Sequence, residues 1–405
     1  MTRSKPLLIF VQPKLRGELA VPMDIAAIIG NLPADAFRVR VFDLNIGARG
    51  AYNELMQLVS QSEHVFVSAF CVSIFNERRD WPDVLTLLRE LREAGATSIL
   101  VGSRTPVSAA MALQENGIQF VYGDLENLFS TSALDFAKQK SRCLPEARSL
   151  DELGFCDFSH FDLARYPTSM ACAAPLSLPL LTSRGCNRGC TYCGVRRGYS
   201  ARPAHHVVSE IRQKIGVHGV THFVIEDDLF NHESGHVKSF CRELLASGLS
   251  ITWECLNGLH PDEIDNELLD LMIEAGCRHV ALGIESFSGE VLARVGRATD
   301  HERLDVLLSH AERSSLLVTG YFLLDLLEHL PLRARLVELR TIKAAAIAFP
   351  HFTYSDGRDG IMADWFKRAC YLYVYADERR LRTLLSMGAF SSKKFGRLWS
   401  KWKRG

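Results

Sequence analysis

Cys186, Cys190 and Cys193 stand in C-x3-C-x2-C spacing within the stretch Arg184-Gly185-Cys186-Asn187-Arg188-Gly189-Cys190-Thr191-Tyr192-Cys193. Three thiolates on one short loop can each take one iron of a 4Fe–4S cubane. The fourth iron is then left open to an exogenous chelating group. Gly185 and Gly189 let the backbone approach the sulfurs without Cβ clashes, and Arg184 and Arg188 offset the negative charge of a thiolate-bound cluster. Zinc is the competing reading. It wants four tetrahedral ligands, for which His205 or His206 offers a fourth donor, but no second cysteine pair follows. The chain has 11 cysteines, and the others (Cys71, Cys143, Cys156, Cys172, Cys241, Cys255, Cys277 and Cys370) are scattered singly, as small buried hydrophobes are.

Such a loop needs a scaffold, and strand and helix signals alternate along the chain. Within residues 1–135, Leu7–Val11, Phe37–Asp43, Val65–Ala69, Ser98–Gly102 and Gln119–Gly123 read as strands. Helix-period segments at Glu54–Ser60, Trp81–Ala94 and Ala109–Asn116 separate them. This spacing predicts a parallel, doubly wound, Rossmann-like sheet with ligands beyond the carboxyl ends of its strands. Residues 136–177, with Pro145, Pro167 and Pro175 and no clear period, read as a connecting segment.

A second series begins near Leu178. Its strands are predicted at Leu178–Ser183, His222–Ile225, Ser250–Glu254, His279–Gly283, Leu316–Leu324 and Ala346–Phe349. Helices are predicted at His206–Gly216, Gly235–Ala246, Pro261–Ala275, Gly289–Val295 and His301–Arg313. Residues 178–355 are therefore expected to form a partial (β/α)6 TIM-like barrel with its functional residues on the loops after the strands. The cysteine loop directly follows the first of these strands. Residues 356–405 are expected to form a short helical tail, with Trp365–Tyr375 as an amphipathic core stretch. The basic end, Lys393 to Arg404 with Trp399 and Trp402, reads as a solvated helix terminus.

Composition narrows the function classes. Lys+Arg and Asp+Glu are both 47, which gives no reason to invoke nucleic acid or an anionic membrane as a partner. Hydrophobic residues at 47% and charged residues at 23% suit a globular protein with a sizeable core. No apolar run reaches the roughly 18 residues that span a bilayer, and Met1–Lys5 runs into a strand signal without a leader. A cytoplasmic location is expected, where thiolates bind metals rather than pair.

The cysteine spacing, with an aromatic before the third cysteine, resembles the signature of the radical S-adenosylmethionine (SAM) superfamily. The resemblance implies that the open iron binds the amino and carboxylate groups of SAM. One electron then cleaves SAM to methionine and a 5′-deoxyadenosyl radical. It extends to Phe223–Phe230, whose acids Asp227 and Asp228 fall where the family contacts the SAM amino group, an ammonium that a carboxylate suits. Glu254 and Asn257 fall where the family places polar SAM contacts at the third strand end. Gly276–Ser286 resembles the fourth-strand segment, with Glu285 as acceptor for the ribose hydroxyls and Ser286 assisting.

A doubly wound domain before such a barrel resembles the cobalamin-binding subgroup of that superfamily. The segments VRVFDLN (39–45), VGSRTP (101–106) and VYGDLENLF (121–129) match its strand ends. By that analogy Ser68, Gly102, Ser103, Thr105 and Gly123 are the expected corrin contacts. The D-x-H-x-x-G motif of other cobalamin proteins is absent, as is usual in this subgroup.

After Leu324 the family's glycine-x-proline turn is replaced by Asp325-Leu326-Leu327-Glu328-His329-Leu330-Pro331-Leu332-Arg333-Ala334-Arg335, which puts the adenine side of a SAM pocket in question. The resemblance implies a 4Fe–4S cluster, SAM and cobalamin as cofactors, a small-molecule substrate, and an electron donor such as flavodoxin or ferredoxin. The implied reaction methylates an unactivated carbon with two SAM molecules. One methylates the corrinoid; the other yields the radical that opens the substrate to the methyl group. The alternatives are a non-methylating radical cyclisation or rearrangement, and a non-catalytic cluster- or zinc-binding relative.

Overall fold

The computed structural model describes residues 5–14, 19–47, 49–62, 64–69, 77–103, 118–128, 141–143, 150–166, 168, 176–195, 197–314, 316–355 and 360–386. The expected Thr105 contact, the helix at Ala109–Asn116 and the basic C-terminal segment lie outside them. The chain divides into two compact units, Met1–Pro167 and Thr168–Gly405.

In the first unit the apolar runs become strands. They are β1 (Leu7–Gln12), β2 (Arg38–Asp43), β3 (His64–Ser68), β4 (Ile99–Ser103), β5 (Ile118–Tyr122) and β6 (Ser141–Cys143), all parallel in the order β2-β1-β3-β4-β5-β6. Of these, β1, β3 and β4 are buried on both faces. Successive residues of β1 feed opposite cores, as the two-residue period of a strand requires. Leu7, Ile9 and Val11 pack with Leu55 of α2 (Arg49–Leu58) and with Val84, Leu88 and Leu91 of α3 (Glu77–Glu93). Leu8 and Phe10 pack with Ile25, Ile28 and Ile29 of α1 (Met23–Gly30). The five predicted strands are all present. The short β6 is additional, having no apolar run to announce it. Residues 150–166 fold back onto this unit: Asp157 N donates to Ala26 O (2.8 Å) and Tyr166 Oη to Asp43 Oδ2 (2.7 Å).

The second unit is a six-stranded parallel sheet in which each strand pairs with its predecessor. Its strands are β7 (Ser177–Leu180), β10 (His222–Ile225), β11 (Thr252–Leu259), β12 (Cys277–Glu285), β13 (Leu317–Leu323) and β14 (Phe349–Thr353). The partial barrel expected from the sequence is present. Between its first two strands lie the antiparallel pair β8 (Ser183–Cys186) and β9 (Arg197–Ala201), then α4 (Ala204–His218). The connecting helices are α5 (Ser234–Ala246), α6 (Asn266–Glu274), α7 (Gly289–Arg294), α8 (His301–Arg313), α9 (Leu324–Glu328) and α10 (Leu332–Ala344), followed by α11 (Ile361–Tyr375) and α12 (Glu378–Ser386).

Some boundaries differ from those predicted. The helix expected from Pro261 starts at Asn266, because Asp265 caps it by accepting from Leu268 N (2.7 Å) and Pro261–Glu263 forms a separate 3-10 turn. The third strand runs on to Leu259 rather than ending at Glu254, with register shifts that sequence alternation cannot show. On α11, Cys370 and Val374 are buried as expected, whereas Trp365 is 67% exposed. Among the described residues no helix is long and apolar enough to cross a membrane.

Candidate functional site

The three thiols sit at the tip of the β8–β9 hairpin. Gly185 adopts φ +81°, a left-handed geometry that favours glycine, at the register shift between Arg184 and Cys186. The Asp228 carboxylate accepts from Gly185 N (2.8 Å), Arg188 N donates to Cys186 Sγ (3.5 Å), and Cys193 N turns back to Cys190 O (3.1 Å). Gly189 has no neighbour that a Cβ would meet within 4 Å, so of the loop's two glycines it is Gly185 that backbone geometry demands. Cys190 is buried and Cys186 and Cys193 are half-buried. Burial pushes both half-buried thiols up, and the neighbouring thiols reinforce the shift. Uptake of iron would therefore displace protons.

The donor set fits a cubane, whose three protein ligands sit on three different irons. Among the described residues no three His, Cys, Asp or Glu groups converge on a single-ion position. His206, one possible fourth zinc ligand, already accepts from Arg202 Nε through Nδ1 (3.2 Å). Cys241, Cys255, Cys277 and Cys370 are buried elsewhere, in keeping with their reading as small hydrophobes.

The acids divide by role. Asp227 is fully buried and accepts from Thr182 N (2.6 Å), Thr182 Oγ1 (2.5 Å) and Ser183 Oγ (2.7 Å), which ties β10 to the base of the hairpin. Burial pushes its carboxyl up to about 6 against these hydrogen bonds. His236 Nε2 also meets Thr182 Oγ1 (2.8 Å). Since that hydroxyl gives its proton to Asp227, His236 must be the donor there. Glu226, which the motif comparison passed over, carries the carboxylate that accepts from Asn257 Nδ2 (3.1 Å). Two-residue alternation, continued one residue past β10, puts Glu226 on the face shared by His222 and Val224, a signal the sequence carried.

Glu254 is the third residue of β11, not its end. Its buried carboxylate lies 3.6 Å from His222 Nε2 and 3.5 Å from His279 Nδ1, with Thr252 and Thr319 bonded to the outer ring nitrogens. The structure therefore separates it from Asn257 and joins it to two imidazoles within the sheet.

Glu285 ends β12 at φ +64°, a left-handed geometry that costs a non-glycine residue about 1–2 kcal/mol. The residue is 6% exposed, and its carboxylate meets Arg297 Nη1 at 3.2 Å. Burial lifts the carboxyl above its ordinary value, and the Arg297 charge offsets only part of the lift. Arg297 also donates to Gly283 O (2.5 Å) and Tyr192 Oη (3.2 Å), and so bridges the cysteine loop to β12. A Cβ on Gly283 would sit 3.0 Å from Glu285 Oε1 and 3.3 Å from Arg297 Nη2, so the glycine makes room for this pair. Arg297 stands beyond the strand it serves, where no motif marked it.

The segment that departs from the family pattern is folded. Leu326 and Leu330 pack with Val291, Val295 and Leu323 around Tyr192. Asp325 accepts from Ser355 N (2.8 Å) and Ser355 Oγ (2.6 Å). Glu338 of α10 accepts from Ser286 Oγ (2.8 Å) and Phe287 N (2.5 Å), so Ser286 is engaged by protein.

In the first unit, buried polar residues gather at the carboxyl ends of the strands: Gln12, Asp43, Ser68, Ser103, Asp124 and Glu126. Ser68 Oγ donates to Asp24 (2.5 Å), while Gln12 Oε1 is buried without a hydrogen-bond partner among the described residues. Gly123 adopts φ +110° and bonds Ser103 O (3.1 Å). Gly102 has a packing reason of its own, since a Cβ there would lie 2.4 Å from the Phe66 ring. An orphaned amide oxygen among buried hydroxyls and acids suits a ligand that carries amide groups, as a corrin does.

Three similarities to known proteins agree with this geometry. The cytidylyl-2-hydroxyethylphosphonate methyltransferase of Streptomyces wedmorensis is 28% identical over 198 residues, covering 46% of this chain and 37% of that one. The bacteriochlorophyllide d C-12(1)-methyltransferase of Chlorobaculum tepidum is 20% identical over 341 residues, covering 79% and 70%. The chain thus spans little more than a third of the first relative. The structure of TsrM from Kitasatospora setae, a radical S-adenosylmethionine methyltransferase with cobalamin and a [4Fe-4S] cluster bound, superposes with a TM-score of 0.58 at 17% identity, covering 79% of this chain and 67% of that one. It shares the fold. The sequence profile of the Radical SAM superfamily matches residues 180–324, from the end of β7 into α9, so the domain that holds this cysteine loop is one of the radical SAM superfamily.

Proposed function

We propose that this protein is a cobalamin-dependent radical SAM enzyme that methylates an unactivated carbon of a small-molecule substrate. The observation that carries the reading is the thiol loop fixed over the strand ends, with Glu226, Asn257, Glu285 and Arg297 beside it. When bound, the cluster supplies the electron that cleaves SAM and the corrinoid carries the methyl group.

The chain's own residues do the holding. Cys186, Cys190 and Cys193 would ligate three irons, and Asp228 and Arg188 N fix the loop that presents them. Glu226 and Asn257 offer acceptors for the SAM ammonium, which leaves Asp227 to secure the hairpin base. Arg297 offers the cation for its carboxylate, and Glu285 accepts from the ribose hydroxyls. Gln12, Ser68, Ser103 and the backbone at Gly123 would face the corrin side chains. A reducing cytoplasm and a small reduced electron carrier suit such thiolates.

Anaerobic reconstitution with iron, sulfide, SAM and hydroxocobalamin tests the reading. A bound corrinoid spectrum and reductant-dependent 5′-deoxyadenosine are expected. SAM cleavage by a protein that retains no corrinoid would remove the methyl-transfer half.

A further inference from the structure

Glu285 needs its backbone held in an unfavourable conformation, and the restraint comes from a distant helix. The turn that follows it is tight: Ser286 N donates to Ile284 O (2.8 Å) and Ser288 N to Ser286 Oγ (3.0 Å). The Ser286 hydroxyl and the Phe287 amide both end on one oxygen, Oε1 of Glu338. Glu338 is 5% exposed and belongs to α10, which begins within the segment that departs from the family pattern and carries Glu338 just beyond it. A buried carboxylate reaching out of one helix to bond a backbone amide and a side chain of a strand-end turn fixes that turn's conformation.

We infer that Glu338 is a positioning residue for SAM, locking the Ile284–Ser288 turn so that the Glu285 carboxylate is presented at its left-handed φ. The inference rests on reading Glu285 as part of the SAM site. Arg297 holds the Glu285 side chain, whereas Glu338 holds its backbone, so the two restraints are separable. The helix that leads out of the altered segment thereby supports the SAM pocket from outside it.

The test uses the full chain, reconstituted anaerobically, with SAM titrated against the electron paramagnetic resonance signal of the reduced cluster. Glu338→Ala should keep its iron and need about tenfold or more SAM for the half-maximal change, since two donors lose their buried acceptor. Glu338→Gln retains an acceptor oxygen and should titrate within about threefold of the native protein. In apo protein, amide exchange at 285–288 should quicken in the alanine variant and not in the glutamine one. If the alanine variant does not hold its cluster, Ser286→Ala, which removes one donor, should give a smaller shift in the same direction. An unchanged midpoint in whichever of these two variants holds its cluster overturns the inference. A native cluster signal that does not respond to SAM at all would instead overturn the functional reading.

Discussion

Tyr192 and Glu285 share one guanidinium: Arg297 Nη1 lies 3.2 Å from the phenol oxygen and 3.2 Å from the carboxylate. The cysteine loop and the fourth barrel strand are thus coupled through a side chain belonging to neither. Arg297→Ala would leave the Glu285 charge buried and unpaired. A loss of ~3 kcal/mol in unfolding free energy is expected, with most of it recovered in Glu285→Gln/Arg297→Met. Urea unfolding checks this, and an Arg297→Ala midpoint equal to the native one would refute the coupling.

Cys190→Ala should abolish the broad iron–sulfur absorption and lower bound iron well below about four per chain. Cys370→Ala, at a buried site on α11 away from the triad, should leave both unchanged. Iron analysis after anaerobic reconstitution decides. Equal loss in both variants would point to general instability.

Neighbouring acids should behave differently. Glu226→Gln is expected to weaken SAM binding about tenfold with little change in melting temperature, because it removes the charge but leaves an oxygen to accept from Asn257 Nδ2. Asp227→Asn should lower the melting temperature, since it puts an amide NH2 donor where Thr182 and Ser183 need an acceptor. Equilibrium dialysis and thermal unfolding separate the two. Similar behaviour of both variants in the two assays would contradict the division of roles.

Acid should destabilise the second unit partly through His236. Burial lowers His236 from 6.5 to about 4, so between those values the unfolded chain carries a proton that the folded one refuses. Its contribution is complete above pH 6.5 and is lost as pH falls towards and through about 4. Asp227 works in the opposite sense. It binds a proton more readily when folded between 3.8 and about 6, and so offsets part of the loss. His236→Gln should therefore lose less stability than the native protein from pH 6.5 to about 4. Parallel stability curves would dismiss this assignment.

What was legible in the sequence was local chemistry and unbroken apolar runs. The cysteine loop declared itself by ligand type and spacing, and β1, β3 and β4 by runs long enough to be buried on both faces. The β8–β9 hairpin was not visible, because Arg197-Gly198-Tyr199-Ser200-Ala201 has neither an apolar run nor alternation. Glu226 was overshadowed by the adjacent aspartates, though alternation continued one residue past β10 distinguished it. Arg297 and Glu338 act across the chain, 12 and 52 residues from their partners Glu285 and Ser286, a distance no local pattern spans. Glu254 was misplaced because its strand runs five residues further than its apolar pattern, to Leu259.

Tyr192 closes a pocket built from Val291, Val295, Leu323, Leu326 and Leu330. During synthesis the loop leaves the ribosome well before those residues exist, so the aliphatic wall that receives Tyr192 is missing while the thiols are already exposed. The packing that orders this loop is therefore complete only after α9 has docked. A translation product arrested before Leu323 would offer a cluster-delivery system three cysteines without the loop geometry that holds them.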